Sequence, residues 1–72
     1  MAASTLTLTV NGVATDVVLD GATIADLVVA LGLAGKRVAV EKNGEIVSRS
    51  RYADTPVGAA DRLEIVAAVG GG

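Results

Sequence analysis

The sequence predicts an α+β protein in which a mixed four- to five-stranded sheet packs on one helix. Three observations carry this. Apolar and polar residues alternate strictly near the start of the chain, and Leu63 and Ile65 take alternate positions close to its end. Two Asn-Gly pairs, Asn11-Gly12 and Asn43-Gly44, each separate a pair of β-branched stretches. Between the two hairpins lies one segment with helical periodicity and a single apolar stripe.

Each element follows in order. In "TLTLTV", Leu6, Leu8 and Val10 share one side and Thr5, Thr7 and Thr9 the other, the pattern of a half-buried strand. Asn11-Gly12 tolerates the positive φ that a two-residue hairpin turn demands. "VATDVVLD" returns as the second strand, with Val17 and Leu19 toward the core. Thr23 then opens a helix, with Asp26 three residues on in the spacing of a capping box. Ile24, Leu27, Val28 and Leu31 form the stripe, Gly32 ends the helix and Leu33 folds back on its last turn. "RVAVEKNGEIV" is the second hairpin, carrying Val38, Val40 and Ile46. "SRSRYADTPVGAAD" is a loop with one helical turn near Tyr52, and "RLEIVAAV" is the last strand, with Leu63 and Ile65 inward. A helix with one stripe covers one face of one sheet. If the last strand lies parallel beside the first, the result is a β-grasp, or ubiquitin-like, domain over residues 1–69, followed by a flexible glycine tail over 70–72.

Composition narrows the function. The chain has 72 residues, room for one domain near the lower size limit for an unstapled core. It contains no cysteine and a single aromatic residue, Tyr52, so small aliphatic side chains must fill the interior. A net charge of −2 argues against nucleic acid, and Lys36-Arg37 and Arg49/Arg51 form only local basic pairs. The apolar stretches are too short to span a bilayer. "MAASTLTLTV" places no basic residue before an apolar block, so it does not read as a signal peptide, and a cytoplasmic protein is expected.

Catalysis by the chain itself is not expected. It has no histidine or cysteine to activate Ser4, Ser48 or Ser50. Asp54 and Asp61 read as solvated loop carboxylates before they read as an acid–base pair. "GLAGKR", Gly32 to Arg37, lacks the glycine spacing and the hydroxyl residue of a phosphate loop, and it follows a helix instead of preceding one. No metal site and no bound cofactor are expected.

The last residues, "GGG" at Gly70 to Gly72, carry the functional expectation. Three extended residues reach roughly 10 Å. Without Cβ atoms they fit a slot as narrow as a backbone. The chemical group at their end is the Gly72 carboxylate, so the tail reads as an arm that delivers a carboxyl group to another protein's active site. Gly70 and Gly71 would thread the partner's channel. Val66 and Ala68, pointing away from the helix if Leu63 and Ile65 point toward it, would lie on the docking face.

These residues resemble the ThiS family, the sulfur carriers of thiamine biosynthesis. "VAVEKNGEIVSRSRY", Val38 to Tyr52, is similar to that family's middle hairpin, and "VGAADRLEIVAAVGGG", Val57 to Gly72, to its closing turn, last strand and tail. Ser48 stands where family members often have proline, and Ala60 where a glycine commonly precedes the aspartate at Asp61. The resemblance implies that an adenylating enzyme of the E1 type activates Gly72 with ATP. A sulfur donor of the cysteine desulfurase or rhodanese type would then convert it to a thiocarboxylate, and thiazole synthase would take the sulfur. The chain would be a protein substrate, with ATP used by its partner. Alternatives are a molybdopterin synthase small subunit, a carrier for cysteine synthesis, a ubiquitin-like protein modifier and an interaction module with an inert tail.

Overall fold

The structure is a computed structural model and describes residues 4–67. Among the described residues, five strands and one α-helix form: β1 (Ser4–Val10), β2 (Val13–Leu19), α1 (Ile24–Ala30), β3 (Val38–Lys42), β4 (Glu45–Val47) and β5 (Arg62–Ala67). A 3-10 helix, Arg49–Asp54, occupies the loop in which one helical turn was expected. The sheet order is β2-β1-β5-β3-β4. β1 and β5 run parallel and the other neighbours antiparallel, which is the mixed β-grasp sheet, five strands wide. The expected limit between domain and tail, at residues 69 and 70, lies outside the described residues.

Local chemistry explains the elements. At both hairpin turns asparagine and glycine take positive φ, 52° and 81° at Asn11-Gly12 and 52° and 87° at Asn43-Gly44. Both central residues with φ > 0 define the turn whose twist matches paired strands. The capping box forms as read: the Asp26 N–H donates to Thr23 Oγ1 at 3.3 Å, and the Thr23 N–H donates to Asp26 Oδ2 at 3.2 Å. At the other end of α1 the Gly32 N–H donates to the Val29 carbonyl and the Leu33 N–H to the Val28 carbonyl. This pair of bonds is a Schellman motif, and it turns Leu33 back onto the core.

The core lies between α1 and one face of the sheet. Leu8, Val17, Leu19, Val40, Leu63 and Ile65 come from the strands, and Ile24, Leu27 and Val28 from the helix. Two details differ from the sequence reading. Ile46 is 80% exposed, because the register pairs Val40 with Val47 and so turns Val47 inward and Ile46 outward. Val57, assigned to the loop, is a core residue. Its N–H donates to the Ala22 carbonyl and the Ile24 N–H donates to the Thr55 carbonyl, so the loop is stitched to the start of α1.

Candidate functional site

β5 is the element that leads to the glycine tail, and it sits in the middle of the sheet. On one side it pairs with β3 along its length, from Leu63 opposite Lys42 to Ala67 opposite Val38. On the other side its pairing with β1 ends at Leu63 opposite Val10. Asn11 then takes over. Its main-chain N–H donates to the Leu63 carbonyl at 2.8 Å. Its side-chain amide donates to the Ile65 carbonyl at 3.0 Å and accepts from the Ile65 N–H at 2.7 Å. The amide group thus imitates one more residue of strand.

Asn43 does the same from the opposite flank. Its main-chain N–H donates to the Arg62 carbonyl at 2.8 Å, its Oδ1 accepts from the Arg62 N–H at 2.9 Å, and its Nδ2 donates to Asp61 Oδ1 at 2.9 Å. Asp61 also accepts from the Gly58 N–H at 2.8 Å, and Lys42 Nζ lies 3.7 Å away. Burial pushes the Asp61 carboxyl up, but the bonds from Asn43 and Gly58 and the Lys42 ammonium outweigh it and hold the group below its ordinary 3.8. Asp61 is therefore a lock on the base of β5. Asp54, at the exposed end of the 3-10 helix, is not among its partners.

The two faces of β5 diverge in character. Leu63 and Ile65 are buried, while Val66 is 64% exposed on the open face of the sheet, opposite Ala39. Val66 therefore stands where the sequence placed it, one residue before the end of the described strand. Ala68, Gly70, Gly71 and Gly72 lie outside the described residues. From the sequence, Asn11 and Asn43 read only as turn residues; their hold on β5 carries no local signature. No group of three or more His, Cys, Asp or Glu side chains able to hold a metal occurs among the described residues. No helix among them is long and apolar enough to cross a membrane.

The sheet order, the β5 clasps and the outward Val66 describe a body built to hold one strand firmly at its centre. The model of the ThiS family matches residues 6–72. The chain belongs to the ThiS family. The crystal structure of a thiamine biosynthesis protein, ThiS, from Geobacter metallireducens superposes on this ThiS-family chain with a TM-score of 0.69 and 37% identity, covering 93% of this chain and 100% of that one. The sulfur carrier protein ThiS of Bacillus subtilis is 43% identical over 53 residues, 74% of this chain and 80% of that protein. A thiazole synthase from Paramagnetospirillum magneticum is 50% identical over 50 residues, 69% of this chain. The match spans only 15% of that enzyme's length, and 16% of a second thiazole synthase, from Magnetococcus marinus.

Proposed function

We propose that the protein is a sulfur carrier of thiamine biosynthesis whose reactive group is the Gly72 carboxylate. The observation that carries this is the family match, which extends over residues 6–72 and so includes the terminal glycines. An ordinary carboxylate is a poor electrophile. In the proposed sequence a Gly72 oxygen attacks the α-phosphorus of ATP in an E1-like enzyme, and pyrophosphate leaves. The terminal sulfur of a donor persulfide displaces AMP, and a thiol then cleaves the S–S bond to release the thiocarboxylate. Gly70 and Gly71 pass through the enzyme's channel because a chain without side chains needs the least width.

Thiazole synthase is the proposed acceptor. The two thiazole synthases that resemble this chain each contain a carrier-like segment within a much longer polypeptide. Physical linkage of the two in one chain supports their pairing when they are separate. The carrier itself performs no turnover. Its contribution is to hold β5, the strand that leads to that end, at a fixed place in the middle of a small body.

Intact-mass spectrometry tests the proposal. The protein is incubated with ATP, an adenylating enzyme of the E1 type and a persulfide donor. The expected result is a gain equal to one oxygen exchanged for one sulfur, abolished by deletion of Gly72. An enzyme that modifies its own carrier but leaves this protein's mass unchanged overturns the proposal. Isopeptide-linked adducts on lysines, with no thiocarboxylate, would assign the tail to protein modification instead.

A further inference from the structure

A groove of about 440 Å³ opens where β5 leaves the sheet, lined by Arg37, Val38, Ala39, Arg49 and Val66. Two loops build it. Arg37 directly precedes β3, and Arg49 begins the 3-10 helix, where its guanidinium reaches the Lys36 carbonyl at 3.5 Å. Both arginines are exposed, and among the described residues neither has a carboxylate within ion-pairing distance. A second hollow, of about 270 Å³, shares Val38 and Arg49 and adds Lys36. In a chain of net charge −2 with six basic residues, this gathers three of the six at one end.

The open face next to the groove has a polarity. Arg37 is followed along β3 and β5 by the apolar pair Ala39–Val66, and then by Glu41 directly opposite Glu64. Like charges facing across a strand pair cost stability, and Arg62 lies beside both glutamates on the same face. Along β5 the open face runs from the basic groove through Val66 and Glu64 to Arg62, with the groove end nearest the point where the described chain stops at Ala67. An enzyme that takes hold of residues 68–72 must lie against that end.

We infer that the Arg37–Arg49 groove is a docking site for a carboxylate-bearing segment of the adenylating enzyme, with Val66 as the apolar contact beside it. The inference rests on the sulfur-carrier proposal and adds the chemistry of the partner's surface. The arginines steer and orient the carrier: exposed charges at the edge of an interface act chiefly on encounter and on its salt dependence. Their effect therefore falls on KM, with kcat nearly unchanged.

The test is carrier-dependent ATP–pyrophosphate exchange by an E1-like enzyme that is active on its own carrier. Arg37→Glu and Arg49→Glu are each compared with Arg62→Glu, which makes the same change in net charge at the other end of β5. The expected result is a rise in KM of about tenfold for each groove variant, a smaller rise for Arg62→Glu, and convergence of all four proteins as salt shortens the screening length. Arg37→Gln and Arg49→Gln, which only remove charge, should lie between wild type and the reversals, and thermal unfolding of each variant confirms the fold. Equal KM values, or an equal rise for Arg62→Glu, overturn the inference while leaving the carrier proposal intact. Absence of any exchange with wild type overturns the carrier proposal itself, and this inference with it. Concentration-dependent dimers in sedimentation, lost in Arg37→Glu, would assign the groove to the Glu41–Glu64 face of a second copy and also overturn it.

Discussion

At the residue scale the two turn asparagines have a second task. Each satisfies the positive φ of its turn and then uses its side-chain amide to extend the hydrogen bonding of β5. The two tasks separate by substitution. Asn11→Gly keeps the turn conformation and deletes the two bonds to Ile65, leaving a part-buried strand N–H and carbonyl without those partners. A loss of about 1–2 kcal/mol is expected, read as a lower urea midpoint with unchanged slope. Asp61 offers a second test, in pH. Its folded carboxyl titrates below its ordinary 3.8, because the bonds from Asn43 and Gly58 and the charge of Lys42 overcome the effect of burial. Its stabilisation is therefore complete above the unfolded value and is lost as pH falls through the lower folded value. Urea titrations should show stability declining below about pH 4, and Asp61→Asn should flatten that part of the profile. An equally steep acid limb in Asp61→Asn would locate the linkage in another carboxylate.

At the scale of elements, what the sequence made legible was whatever depends on neighbours along the chain. Strand alternation in β1, the two Asn-Gly turns, the Thr23–Asp26 box and the apolar stripe of α1 are all short-range physics, and all are present. The inward turn of Val47 was not legible, because the parity of a three-residue strand is set by its register against β3. Nor was the burial of Val57, which depends on the loop meeting the start of α1. The grip of Asn11 on Ile65 joins residues 54 positions apart, and no local pattern announces it. The groove needs Arg37 and Arg49 from two loops to meet at a strand end, so their pairing is a property of topology. One local departure yields a prediction. Ser48 precedes the 3-10 helix at φ −68°, follows the extended Val47, and its N–H makes no hydrogen bond among the described residues. Proline takes that φ without strain and favours an extended residue before it. Ser48→Pro should raise stability by about 0.4–1 kcal/mol by restricting the unfolded chain, seen as a higher thermal midpoint. A decrease would mean that the Ser48 N–H has a role the folded geometry does not show.

At the scale of the whole molecule, β5 divides stability from recognition across its two faces. A protein of 72 residues has a total stability of roughly 4–11 kcal/mol. Leu63 is fully buried at the centre of the sheet, and truncating it to alanine costs about 2–5 kcal/mol. Leu63→Ala should therefore use up much of the margin, with a thermal midpoint far below wild type. Val66, three residues along the same strand, carries no comparable burden. Val66→Thr keeps the β-branched shape and should leave stability within about 0.5 kcal/mol of wild type, while replacing the apolar contact beside the groove with a hydroxyl. Its effect should appear as a rise in KM for adenylation of about fivefold or more, since the loss of one apolar group from an interface is worth about 1–3 kcal/mol. If Val66→Thr lowered the thermal midpoint as Leu63→Ala does, or left KM untouched, the outward face would not be the recognition face. If instead the two variants separate as expected, at a temperature where Leu63→Ala is still folded, its KM should match wild type. A strand held by its inner face and read by its outer face permits no other combination.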